Sequence, residues 1–128
     1  MRIIFIRHGK TYGNELKRYI GATNEPLSDE GIRQIKQRTY PAAERVIASP
    51  MKRCVQSAQL IYGEGAELYA DLRECDFGSF ENKSYAELKD EPYYIKWLES
   101  DGTISFPCGE SKESFSRRCC ACFRDIII

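Results

Sequence analysis

Histidine is almost missing from this chain: His8 is the only one among 128 residues. A metal centre built from several imidazoles is therefore excluded, and any histidine chemistry falls to His8 alone. Net charge is missing too, since nineteen Lys and Arg balance nineteen Asp and Glu. That balance argues against a nucleic-acid binder but leaves room for a local cationic pocket. No apolar run approaches membrane-spanning length, and the opening Met1-Arg2, followed by four apolar residues and Arg7, is too short for a secretory signal. Repeats, low-complexity tracts and linkers are absent as well, so residues 1–128 read as one domain of α/β type.

Six cysteines are present, without any sign of export, and are expected as reduced thiols of a cytoplasmic protein. Cys119, Cys120 and Cys122 crowd together but lack paired metal-ligand spacing. On a helix, Cys119 and Cys122 instead serve as small core residues. Neither a metal nor a cofactor is expected.

The segment Ile3-Ile4-Phe5-Ile6-Arg7-His8-Gly9 has the length and β-branching of a buried strand, with glycine permitting the turn that leaves His8 at the strand's carboxyl end. Open α/β sheets place their ligands there. Gly9-Lys10-Thr11 also echoes a nucleotide-binding loop, but that motif needs a glycine five residues earlier, where Ile4 stands. Ser28 caps an expected helix running to about Tyr40, with Asp29 and Glu30 in its first turn. Arg45–Ser49 reads as a second buried strand and Glu67–Ala70 as a third. Between them a helix after Pro50 has Val55, Ala58, Leu60 and Ile61 on its apolar face. Leu72–Phe80 reads as an ordered loop, followed by short helices near Tyr85 and over Pro92–Leu98. A last helix beginning near Ser111 gathers Phe115, Cys119, Cys122, Phe123, Ile126 and Ile127 on one face.

Arg53 falls in the first turn of the helix after Pro50, so parallel strands would bring Arg7, His8 and Arg53 into one pocket. Two planar guanidinium forks and a helix start suit a phosphate. Beyond this local chemistry, the chain carries five ordered motifs: Arg7-His8-Gly9-Lys10-Thr11 with Asn14; Pro26-Leu27-Ser28 with Gly31 and Gln34; Ser49-Pro50 with Arg53, Gln56 and Ala58; Leu72-Arg73-Glu74 with Gly78 and Glu81; and Pro107-Cys108-Gly109-Glu110-Ser111. In these it resembles the histidine phosphatase superfamily, and within it the compact phosphoglycerate-mutase-like branch that includes α-ribazole phosphatase-type enzymes.

The resemblance implies a three-layer phosphoglycerate mutase-like fold with a mostly parallel sheet. It also implies a phosphomonoesterase acting on a small phosphorylated metabolite. His8 would attack phosphorus, Arg7, Arg53 and Asn14 would bind the phosphate, Glu74 would donate the proton, and Gly21 and Thr23 would belong to a substrate loop. Mutases of the family carry a longer insertion between the segments matched by Glu74 and Gly109, so the short connection here favours hydrolysis over mutase chemistry. Asn82 and Cys108 stand where the family often has glycine. Asparagine tolerates a left-handed backbone, and Cys108 is expected in a packing role.

Family members also carry a second histidine on a later strand, lying between the strands matched by residues 2–7 and 45–49, and this sequence has none. The C-terminal part of the domain is therefore expected to be missing, with apolar surface and unpaired backbone left exposed. Residues 1–128 alone are accordingly expected to be poorly stable and essentially inactive. A catalytically weak phosphate-binding protein is the alternative.

Overall fold

In the computed structural model, which describes residues 1–128, elements begin where the sequence supplies caps. Thr11 opens α1 (Tyr12–Glu15) through a reciprocal pair: its hydroxyl accepts from the Asn14 amide, and the Asn14 side chain accepts from the Thr11 amide. Ser28 caps α2 (Asp29–Gln37) by accepting from the Gly31 amide. That helix stops short of Tyr40, because Arg38 has already turned to extended backbone, φ −101° and ψ 153°.

The crossover then runs β1 (Ile47–Ala48), α3 (Lys52–Tyr62) and β2 (Glu67–Leu68), and the two strands pair in parallel with Ile47 opposite Glu67. Gly63 ends α3 at φ 80°, a left-handed backbone that glycine accepts without a Cβ clash. Short 3-10 turns follow at Ala70–Leu72 and Gly78–Phe80. Next come α4 (Tyr85–Leu88), opened by a Ser84–Glu87 capping box, then α5 (Pro92–Glu99) with proline in its first turn, and α6 (Lys112–Ile127) capped by Ser111.

The centre of the molecule is aromatic. Phe80, Leu88, Tyr94, Phe106 and Cys75 are buried together, with Tyr19, Phe77, Trp97 and Phe115 packed against them. Tyr94 is buried around its phenol, whose hydroxyl meets that of Tyr19 at 2.8 Å. Tyr93 of the same helix stays exposed and donates to the Ser105 carbonyl at 2.7 Å.

The α/β class and the parallel sheet are as expected, the sheet being small, with two short strands. Three expectations need correction, and the first is that Met1–Arg7 belongs to no strand. Phe5 is 81% exposed, and Ile3, Ile4 and Ile6 are exposed as well. An apolar run becomes a buried strand only when ladders flank it, and nothing in this chain pairs with either edge of residues 1–7. Leu60 on α3 and Ile127 on α6 face outward despite their helical spacing, while Cys122 and Ile126 are buried as expected. Cys108 has no packing role: it is exposed and sits at φ 59°. Asn82, also at φ 59°, takes the left-handed backbone expected of it.

Candidate active site

His8 is fixed from both sides of its own peptide. Its Nδ1 lies 2.6 Å from the Gly9 carbonyl, which can only accept, so Nδ1 carries the proton and Nε2 holds the free lone pair when the ring is neutral. The Gly9 amide donates to Ser57 Oγ at 3.0 Å, and the Ser57 hydroxyl donates to the Arg53 carbonyl at 2.7 Å. This relay ties the histidine segment to α3 one turn above Arg53. A Cβ on Gly9 would come within 2.7 Å of Ile35 Cδ1 and 3.2 Å of the Gly31 carbonyl, so a side chain there requires Ile35 to shift.

Burial holds the His8 pKa below its ordinary value; the Gly9 carbonyl opposes this, and the positive charges of Arg53 and Arg7 push it down further, with Glu74 pulling weakly upward. One imidazole therefore feels both guanidiniums and the carboxylate named from sequence. Arg7 and Glu74 are exposed. Asn14 is partly buried, and since its Oδ1 is engaged by the Thr11 amide, its side-chain NH₂ is the group left to donate.

Arg53 is 1% exposed, yet no carboxylate pairs with it. Its terminal nitrogens donate to the Thr23 carbonyl at 2.7 Å and the Gly21 carbonyl at 2.8 Å. Its Nε, also buried, has no partner at all. Helix α3 places it there after Pro50, and the first amide of that helix, Lys52, is taken by Asn24 Oδ1 at 2.8 Å. The helix start is thus partly closed, and the guanidinium itself is the main cationic feature.

Gly21 and Thr23 do come to the site, though as props for Arg53. The Thr23 hydroxyl donates to Glu81 Oε2 at 2.5 Å and is not free to meet a substrate. Glu74 sits on a segment clamped from α6: Arg118 donates to the carbonyls of Asp71 and Arg73 at 2.7 and 3.1 Å and pairs with Glu110 at 2.8 Å. Glu110 in turn accepts from the Asp76 amide at 3.0 Å. Glu74 also borders an apolar cleft of about 410 Å³ lined by Phe77, Trp97, Phe106 and Phe115, and His8 lies outside that cleft.

Residues 3–127 match the histidine phosphatase superfamily, branch 1. The chain belongs to that superfamily. Among its relatives, the acid phosphatase of Mycobacterium tuberculosis strain H37Rv is 31% identical over 117 residues, covering 86% of this chain and 55% of that protein. The crystal structure of phosphoglycerate mutase from Thermus thermophilus superimposes with a TM-score of 0.75 at 32% identity, over 94% of this chain and 67% of that one. A candidate α-ribazole-5'-P phosphatase from Escherichia coli K-12 gives a TM-score of 0.77 at 27% identity, over 88% of this chain and 60% of that one. The chain spans from 35% to 63% of the length of the curated relatives it matches.

This histidine phosphatase chain also uses residues that sequence reasoning left without a role. Ser57 carried no signal, being one serine inside a helix. Glu81 and Glu110 stood inside quoted motifs, but their work as acceptors for distant loop amides depends on contacts that no local spacing reveals.

Proposed function

We propose that this chain carries the phosphoryl-transfer pocket of a phosphomonoesterase that hydrolyses a small phosphorylated metabolite through a phosphohistidine on His8. One observation carries the reading: a buried guanidinium with no carboxylate partner and an unsatisfied Nε lies near enough to His8 to hold its pKa down. Burying a charge is costly unless something opposite in sign completes the site, and a phosphate dianion supplies both charge and acceptors.

In the first step Nε2 of His8 forms a bond to phosphorus while the ester P–O bond breaks, and the electron pair leaves on the alcohol oxygen. Glu74 gives that oxygen its proton. Water then attacks the phosphohistidine, Glu74 takes the proton back, and the P–N bond breaks to release phosphate and neutral His8. Arg7, Arg53 and the Asn14 NH₂ hold the equatorial oxygens as charge spreads over them. The position of Glu74 at the rim of the apolar cleft supports a leaving group seated in that cleft. The named activities of the relatives support phosphatase and mutase chemistry alike. Water as acceptor is favoured by the short connection between Glu74 and Gly109.

Trapping is the test. Brief incubation with an aryl phosphate should leave an acid-labile, base-stable phosphate on the protein that His8→Ala abolishes. Glu74→Gln should slow alkyl phosphates far more than aryl phosphates, because an aryl oxide needs little protonation. Any turnover by the complete enzyme should survive a chelator, since two guanidiniums supply the charge, and loss of turnover restored by added metal would contradict the mechanism. A trapped phosphohistidine without turnover would favour the phosphate-binding alternative, consistent with the single histidine.

A further inference from the structure

Arg53 does not hold its own position. The two carbonyls that grip its guanidinium, Gly21 and Thr23, belong to a loop without regular secondary structure. Left alone, such a loop has many conformations, and fixing it costs backbone entropy. One side chain opposes that freedom. Glu81 accepts from three consecutive amides, Gly21 at 3.1 Å, Ala22 at 2.7 Å and Thr23 at 3.2 Å, and from the Thr23 hydroxyl. It accepts from the Phe77 amide as well, at 3.0 Å, which anchors the carboxylate to its own turn. Successive amides converging on one anion form a nest, and the alternating carbonyls are left to point away from it.

The fit is tight enough to constrain the sequence. A Cβ on Gly21 would fall 1.9 Å from the Cys75 carbonyl and 2.6 Å from Glu81 Oε1, so the loop can approach Glu81 only as glycine. Burial pushes the Glu81 carboxyl up, yet the bonds from Thr23, Phe77, Gly21 and Ala22 outweigh it and hold the group below the usual carboxylate range. The carboxylate is thus charged at neutral pH and its charge is spent on the loop.

We propose that Glu81 is the positioning residue of the phosphate pocket, acting through the Gly21–Thr23 loop to hold the Arg53 guanidinium in place beside the His8 segment. This rests on the reading of the pocket given above. Glu81 touches no reacting atom, and its effect on phosphate passes through two carbonyl contacts made by Arg53.

The test measures Arg53 itself and phosphate separately. Guanidinium NMR of Arg53 should show restricted rotation in the unaltered chain, because two carbonyls grip it, and averaged signals in Glu81→Gln. Thr23→Val, which removes only the hydroxyl bond, should fall between them and covers the case in which Glu81→Gln fails to fold. Inorganic phosphate should bind about 10-fold or more weakly to Glu81→Gln and about 2- to 5-fold more weakly to Thr23→Val, the range expected when bonds to a charged group are lost. A variant with a lowered Tm, an unchanged Arg53 signal and phosphate affinity within about twofold of the original would show that Glu81 merely supports the loop. If the unaltered chain binds no phosphate, the phosphatase reading fails, while the Arg53 signals still decide whether Glu81 positions the guanidinium.

Discussion

At the residue scale, His8 and Arg53 divide the work that a phosphate site requires. The neutral imidazole must offer Nε2, and both its burial and the nearby guanidiniums favour that form. Because His8 is the only histidine, its ring protons give a single, unambiguous titration. The midpoint should lie below 6.5, the ordinary histidine value, and the phosphorylation rate should fall only as pH drops through that lower midpoint. A midpoint at or above 6.5 would mean that burial and the nearby cations do not act on the ring as the structure requires. Phosphate addition should raise it, since a bound dianion favours the imidazolium. Arg53 supplies a second measurement at this scale. Inorganic phosphate should raise the Tm of the unaltered chain by mass action, and Arg53→Met should remove that increment. An equal increment in both would place the anion elsewhere.

At the scale of elements, two segments distant in sequence are sewn together by side-chain carboxylates, and this explains what the sequence could reveal. Caps are local: Ser28, Ser84 and Ser111 announce helices because hydroxyl and amide lie three residues apart. The nearness of Arg53 to His8 comes through the Gly9–Ser57–Arg53 relay rather than through a strand end, because Met1–Arg7 forms no strand. The roles of Ser57, Glu81 and Glu110 are not legible in the sequence, because each accepts from or donates to a partner whose nearness only the folded loops create. The clamp of α6 on the Glu74 segment makes a prediction of its own. Arg118→Met frees the carbonyls of Asp71 and Arg73 and leaves Glu110 unpaired, at a cost of roughly 1–3 kcal/mol. Its kinetic mark should be selective, slowing alkyl phosphates more than aryl phosphates, because the disturbed segment carries Glu74, the proposed proton donor. Equal slowing of both would assign Arg118 to stability alone. Nearby, Cys108 occupies a left-handed backbone at φ 59° without burial in return. Cys108→Gly should therefore stabilise the chain by about 0.5–1 kcal/mol in denaturant unfolding, the relief of strain exceeding the added freedom of the unfolded glycine.

At the scale of the whole molecule, the aromatic centre is buried while the amino-terminal segment is not covered. The β-branched run beside His8 reads as a buried strand because hydropathy reports what a segment would bury, whereas burial itself depends on neighbours contributed by other segments. Here one edge of β1 is taken by β2, and Met1–Arg7 lies unpaired, touching α6 through the Phe5 and Phe123 rings at 5.7 Å. Ile3, Ile4, Phe5 and Ile6 are all exposed, and Ile127 joins them. Contiguous apolar side chains beside unpaired backbone donors and acceptors are a template for association. The 128-residue chain should therefore bind an apolar fluorescent dye and sediment with a concentration-dependent increase in mass. Phe5→Glu should reduce both effects, since Phe5 is 81% exposed and contributes little to the interior. It should leave phosphate affinity within about twofold, because the pocket is held by α3, the Gly21–Thr23 loop and the Ser57 relay rather than by the Phe5 side chain. A chain that stays monomeric and dye-free at about 100 μM, a concentration at which exposed strand edges ordinarily associate, would show that this segment is covered in solution. A large loss of phosphate affinity in Phe5→Glu would show instead that the apolar run itself sets the position of His8.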